Sequence, residues 1–275
     1  MTRLYDALKI RLLRPKVVPR DTDVYIISYP KSGRTWLRVL IGKAICLKYG
    51  LPDDLMLDTY RLTAAAGLLR ARFTHDYSEI LTGIPYDALP TQRREYTGKK
   101  VIFMAREIKD LLVSSYFQAT KRTGKFDGPI SDFIRTDRFG VKKVVAFYNI
   151  WHNNRHIPSE FVLLSYEEMH RDPEDALSKT LRVMGAGDID AGVLRQAVDF
   201  ASFDNMKRME SDGHFDDPRM RPGDADDEES FKVRKGKIGG YREYLSEEDI
   251  RYIDQTVEEM GCPFLSAMAL STAMR

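Results

Sequence analysis

Four short stretches of the chain carry residue types that can do chemistry. In Tyr29-Pro-Lys-Ser-Gly33, continued by Arg34 and Thr35, backbone N–H groups can converge on one point. A helix following such a turn adds the positive end of its dipole, and Lys31, Ser32 and Thr35 add side-chain donors, so the turn can hold an anion such as a phosphate. Taken alone, a basic turn fits a solvated connection equally well. Arg106, with Ser114 eight residues later, can offer a guanidinium and a hydroxyl to a second phosphate, although an arginine at a strand end is commonly a surface residue. Phe231-Lys-Val-Arg-Lys-Gly236 places three cations beside a glycine that lets the backbone approach a ligand; a short basic run is otherwise a solvated face. His75 can take a proton from a hydroxyl near neutral pH, or simply cap a strand end.

These residues need rigid elements behind them. Val24-Tyr-Ile-Ile-Ser28 is a continuous β-prone apolar run, the pattern of a strand covered on both faces. Trp36, Leu37, Leu40, Ile41, Ala44 and Ile45 then repeat at helical period, predicting a helix to about Tyr49. The unit recurs as a strand over Val101-Ile-Phe-Met-Ala105 and a helix from Ile108 to about Lys121, and again as a strand over residues 160–165. Asp172 and Pro173 form an N-cap and first-turn pair for a helix ending near Gly185, and Ser246 opens another that reaches Met260. Strands alternating with helices predict an α/β fold: a single domain with a central parallel β-sheet flanked by helices, its ligands at the carboxyl ends of the strands. The expected organisation is a basic N-terminal segment over residues 1–20 and one domain over 21–275, carrying a mobile acidic loop at about 207–230.

Charge and composition exclude several classes. The 275 residues carry 43 Lys+Arg against 41 Asp+Glu, a net +2 that argues against a nucleic-acid binder. The near-neutral sum hides an asymmetry, because residues 210–229 hold nine acids and two bases and leave a basic remainder suited to an anionic ligand. No apolar stretch is long enough to span a membrane, the best candidate being broken by Arg38, Lys43 and Lys48. The charged N-terminus lacks a secretory h-region, and Cys46 and Cys262 are too few for a disulfide framework or a zinc site, so the expectation is a cytoplasmic protein without metal. Six bases and Leu4, Leu8 and Leu12 in the first twenty residues fit a short solvated helix, or weak contact with an anionic membrane surface. The turn at Lys31 lacks the glycine spacing of a Walker A loop, GxxxxGK[ST].

Together the motifs resemble the cytosolic-type sulfotransferase family. Tyr29-Pro-Lys-Ser-Gly-Arg-Thr-Trp36 is similar to its loop for the 5′-phosphosulfate of 3′-phosphoadenosine 5′-phosphosulfate (PAPS). The segment from Arg106 to Tyr116 is similar to its 3′-phosphate segment, and Arg234-Lys-Gly236 to its nucleotide-covering motif, in the same order and spacing from about Val24 to Tyr244. The resemblance implies a P-loop-like fold and PAPS as sulfuryl donor, with 3′-phosphoadenosine 5′-phosphate (PAP) as product. It gives Lys31 the bridging oxygen and sulfuryl group, and Ser32, Gly33, Arg34 and Thr35 the 5′-phosphate. Arg106, Ser114, Arg234 and Lys235 take the 3′-phosphate, beside Gly236. Trp36 and Phe203 would sandwich adenine, with Tyr166 and Met206 alongside. His75 becomes the general base, in a catalytic set with Lys31 and Ser114.

Several positions depart from that pattern. Phe73 stands where many members have a lysine, so its help must come from Arg72 or be absent; Ala201 replaces a common threonine, leaving Ser202 to contact the nucleotide. Gly240-Tyr241 replaces an Asp-Trp pair, and no dimerisation motif is recognisable after it, so oligomeric state stays open. The expected acceptor is a small organic molecule with a hydroxyl or amine, in a pocket from residues 55–84, 116–147 and the acidic loop, with Phe73, Tyr77, Tyr86, Phe117, Phe126 and Phe133 offering an aromatic lining or simple core. His152, His156, His170 and His214 match nothing and are expected to be structural or surface residues. Two other classes compete: a nucleotide-dependent kinase of similar fold, and a non-catalytic PAPS or nucleotide binder.

Overall fold

A computed structural model describes residues 19, 21–187, 189–213, 224 and 227–273; the basic N-terminal segment and most of the acidic loop lie outside the described residues. In chain order the principal elements are β1 (Val24–Ser28), α1 (Arg34–Tyr49), α2 (Thr59–Ala65), β2 (Ala71–Thr74), β3 (Lys100–Ala105) and α3 (Ile108–Phe117), which runs on as a π-turn over Gln118–Arg122. Then come α4 (Ile130–Arg135), α5 (Val141–Asn154), β4 (Glu160–Ser165), α6 (Tyr166–Arg171), α7 (Pro173–Val183), α8 (Ala191–Phe200), α9 (Phe203–Ser211), α10 (Glu247–Met260) and α11 (Pro263–Ala273).

Among the described residues the sheet has four parallel strands in the order β2-β1-β3-β4. Alternate side chains of a strand point to opposite faces, and here each face meets its own core. Tyr25 and Ile27 of β1 join Val101, Phe103 and Ala105 of β3 in one cluster, with Trp151 of α5 and Phe264 of α11. Val24 and Ile26 join Ile102 and Met104 in the other, against Leu37, Leu40 and Ile41 of α1 and Leu177 of α7. Helices on both faces are why β1 and β3 read as unbroken apolar runs. Each large apolar side chain so buried stabilises the fold by roughly 1.5–3 kcal/mol.

The chain leaves β1 towards β2 on one side and returns to β3 on the other. The carboxyl ends of β1 and β3 are therefore a topological switch point, where crossing connections diverge and open a crevice. The acidic loop is shorter than expected at its near end, because residues 207–211 complete α9, and Glu228–Ser230 form a 3-10 turn.

Candidate active site

All four strands deliver a residue to one cavity of about 350 Å³: His75 follows β2, Lys31 follows β1, Arg106 follows β3 and Tyr166 follows β4. The loop after β1 is wound tightly. Lys31 has φ 73° and Gly33 φ 88°, and the left-handed region costs a residue with a Cβ about 1–2 kcal/mol. The bend is held from both sides, since Ser32 Oγ donates to the Tyr29 carbonyl at 3.0 Å and Arg106 Nη1 donates to the Lys31 carbonyl at 3.0 Å. Gly33 must lack a side chain, because a Cβ there would lie 2.6 Å from Cδ2 of Tyr166. Directly afterwards α1 begins without a side-chain cap and with no acid in its first turn. Its first N–H groups are thus left for an anion, with the dipole favouring one.

Cations surround that helix end. Arg106 is 9% exposed, its guanidinium lies 4.2 Å from the Tyr166 ring centre, and its buried Nε has no hydrogen-bond partner. Burial drives the Lys31 amine well below the usual amine range, and the charges of Lys232, Arg122 and Arg106 push the same way. Burial, then Arg122, Arg34 and Arg38, lowers Lys232 to about 8. The Glu210 carboxylate opposes these shifts on both amines without cancelling them, and an amine lowered in this way gains charge beside an anion. Unpartnered buried donors on Arg106 and Arg234, an uncapped helix and like-charged amines fit a polyanion such as a doubly phosphorylated nucleotide.

The third motif is fastened by two carboxylates. Asp110 of α3 accepts from the N–H groups of Gly239 (2.7 Å) and Tyr241 (2.8 Å), and Glu210 of α9 from those of Lys232 (2.6 Å) and Val233 (2.8 Å). Between these anchors Gly236, at φ 61°, comes so close to Phe203 that a Cβ would sit 2.4 Å from the ring. Arg234 Nη1 donates to Glu229 (2.8 Å) and Tyr244 (2.9 Å), and Lys235 Nζ pairs with Glu243 at 2.5 Å. Trp36 Nε1 donates to the Ala201 carbonyl (2.9 Å), holding the indole in the wall; Met206 is buried beside the cavity, and Phe203 remains 38% exposed, available to a planar ring.

His75 Nδ1 lies 2.9 Å from the Ser28 carbonyl. A carbonyl oxygen only accepts, so Nδ1 carries the proton and the lone pair is on Nε2. The next two residues, Asp76 (φ 48°) and Tyr77 (φ 73°), are left-handed. Fully buried Asp76 holds them there by accepting from Arg93 Nε (2.5 Å), Tyr96 Oη (2.8 Å) and Trp151 Nε1 (3.0 Å). Beyond His75 the cavity is lined by Glu79, Ile80, Leu81, Gln118 and Thr123.

Of the residues singled out in the sequence, Lys31, Gly33, Arg34, Thr35, Trp36, His75, Arg106, Ser114, Tyr166, Phe203, Met206, Arg234, Lys235 and Gly236 line this cavity, and Ser32 and Ser202 do not. Ser32 is buried with its hydroxyl turned back on Tyr29, and at the other position it is Ala201 that reaches the cavity. Arg72 cannot stand in for the lysine absent at Phe73: its Nε donates to Thr22 Oγ1 at 2.9 Å and its guanidinium lies over Tyr60, at the opposite end of the sheet. Of the six aromatics that could be acceptor lining or core, none lines the cavity. Phe126 and Phe133 pack with each other and with Tyr116, Phe117 packs with Tyr116 and Tyr244, and Phe73 lies under Arg38. His170 is a cavity residue that the sequence reading missed. Its ring packs 5.0 Å from Trp36 and 4.7 Å from Tyr166, four positions away on one helix face, and that spacing after a strand end was the available signal. His214 lies outside the described residues. Among the described residues no group of three His, Cys, Asp or Glu is placed to hold a metal ion, and no helix is long and apolar enough to cross a membrane.

Residues 21–271 match the sulfotransferase domain family. The chain belongs to that family. Among curated relatives, this sulfotransferase is 27% identical to cytosolic sulfotransferase 17 of Arabidopsis thaliana over 90% of its own length and 77% of the relative's. It is 23% identical to flavonol 3-sulfotransferase of Flaveria bidentis, over 86% and 81% of the two chains. Its fold matches a mouse sulfotransferase complexed with PAP (TM-score 0.60, 20% identity, 88% and 85% of the chains). It also matches a retinol dehydratase complexed with androsterone and inactive cofactor PAP (TM-score 0.61, 18% identity, 94% and 84%).

Proposed function

We propose that this sulfotransferase moves the sulfuryl group of PAPS to a hydroxyl, or an amine, of a small organic acceptor by in-line displacement. The observation that carries the reading is the convergence of His75 with Lys31, Arg106 and the uncapped start of α1 at one sheet edge. Lys31, with the N–H groups of residues 33–35, would hold the 5′-phosphosulfate, and Arg106, Ser114, Arg234 and Lys235 the 3′-phosphate. The planar base would lie between Trp36 and Phe203, against Tyr166 and Met206. When bound, the donor supplies an activated sulfuryl group on a phosphate leaving group.

His75 Nε2 accepts the proton of the acceptor hydroxyl as its oxygen attacks sulfur, while the Ser28 carbonyl keeps the imidazole in the accepting tautomer and stabilises the cation that forms. Lys31 sets a positive charge beside the leaving oxygen where charge develops, a role that needs no divalent ion. The acceptor enters past Glu79, Ile80 and Leu81; one relative's name, flavonol 3-sulfotransferase, fits a hydroxylated acceptor of modest size. A cytosolic setting agrees with the names of the relatives.

Isothermal titration with PAP and with ADP tests the reading against a kinase. The 3′-phosphate should make PAP bind on the order of tenfold to a hundredfold more tightly than ADP, as one or two charge-assisted hydrogen bonds are worth. Preference for ADP would overturn it.

A further inference from the structure

The cations of the third motif are not equivalent. Arg234 is engaged by Glu229 and Tyr244, while Lys235 and Lys237 share Glu243. Lys232 lines the same cavity, yet its amine has no hydrogen bond or ion pair among the described residues. Its backbone is pinned by Glu210, which accepts from Lys232 N–H at 2.6 Å and from Val233 N–H at 2.8 Å. Burial lowers its amine most, the charges of Arg122, Arg34 and Arg38 push the same way and the Glu210 carboxylate opposes them, and Lys232 is in turn the foremost charge acting on Lys31. Lys232 therefore shares one cavity with Lys31 and with Arg34 at the start of α1. Like Lys232, Lys31 has no side-chain partner among the described residues. Two adjacent amines with unfilled donor capacity are the counterpart of one concentrated negative charge.

We propose that Lys232 is a second cationic catalytic residue, which shares with Lys31 the negative charge gathering on the 5′-phosphate as the sulfuryl group departs. The inference rests on the function proposed above. In that step the bond from sulfur to the 5′-phosphate oxygen breaks, the bond from sulfur to the acceptor oxygen forms, the acceptor proton passes to His75 Nε2, and the electron pair of the broken bond stays on the phosphate. Lys31 alone would meet this charge from one side. Lys232 meets it as well, and so supplies at the nucleotide-covering motif the second charge that neither Phe73 nor Arg72 provides at the β2 edge. Its lowered pKa, about 8, means that the amine reaches full charge when an anion is beside it.

The test uses Lys232→Met and Lys232→Arg in the full chain, with PAP and adenosine 3′-monophosphate titrated calorimetrically and transfer from sulfur-35-labelled PAPS to 2-naphthol and to water followed in single turnover. Lys232→Met should lower both PAP affinity and the transfer rate on the order of tenfold or more, and leave adenosine 3′-monophosphate, which has no 5′-phosphate, within about twofold. Lys232→Arg should recover most of both. Equal loss of the two nucleotides, or loss of neither, overturns the proposal while leaving the sulfotransferase reading in place. Failure of the unaltered protein to bind PAP overturns both.

Discussion

Replacing His75 by alanine removes the atom that accepts a proton and nothing that holds a phosphate, so the two functions of the cavity separate at this residue. The expected outcome for His75→Ala is a fall in the transfer rate on the order of a hundredfold to ten-thousandfold, with PAP affinity within about twofold. Transfer at the original rate would show that another group takes the proton; wild-type and variant protein that bind PAP equally and transfer nothing would favour the non-catalytic binder. The residues of this site were legible where their chemistry repeats locally. Lys31, Gly33 and Thr35 announce themselves by sitting between an apolar strand and an amphipathic helix, and Arg106 by ending the next strand. The direction of the Ser32 hydroxyl was not legible, because a short hydroxyl in a tight turn has a nearer acceptor, here the Tyr29 carbonyl. Between help from Arg72 and its absence the sequence could not choose, because the direction of Arg72 depends on strand alternation and on where Thr22 and Tyr60 lie, which no local spacing reveals.

At the scale of elements, the helices and strands with one strong period were readable, including β1, α1, β3, β4, α7 and α10. β2 was not, because four residues containing an arginine carry too little pattern. α5 becomes legible only once its packing is seen: Val141, Val144, Val145, Tyr148 and Trp151 follow a helical repeat, and all five are buried. The link that no pattern could supply is between α9 and the third motif. Glu210 has a fully buried side chain that takes two backbone N–H groups and stands 3.7 Å from Arg122 Nη1. Glu210→Gln keeps the shape but offers one acceptor oxygen where two were used, and it leaves Arg122 facing a neutral group. The expected cost is about 2–4 kcal/mol of stability, with PAP affinity reduced at least about tenfold because Lys232 and Val233, next to Arg234, lose their backbone anchor. Denaturant melts and calorimetry check both figures. Unchanged nucleotide binding at reduced stability would make Glu210 a purely structural residue.

For the whole molecule, the near-zero net charge is the wrong quantity to watch, since what governs behaviour is where like charges are forced together. Without an anion, Lys31 and Lys232 lie among Arg34, Arg106 and Arg122, and both amines titrate below their unfolded values, Lys232 at about 8. A lysine whose folded pKa is depressed binds fewer protons folded than unfolded between those two values. Its charged form therefore opposes folding at neutral pH, and that opposition disappears as pH rises through the folded pKa towards the unfolded one. Bound PAP reverses the preference, because its phosphates, already doubly ionised above about pH 7, stabilise both ammonium groups. The free protein should accordingly gain stability from this cluster between about pH 8 and 10, while the stabilisation conferred by PAP shrinks over the same interval. At neutral pH and a hundredfold excess over the dissociation constant, PAP should add about 2.7 kcal/mol, or roughly 5–10 °C in Tm for a chain of this size. Thermal melts at pH 7, 8, 9 and 10 with and without PAP read the difference directly, and other alkaline titrations common to both series cancel. A PAP-induced shift that stays constant or grows with pH would mean that the amines remain fully charged in the free site, and that they do not form an anion receptor.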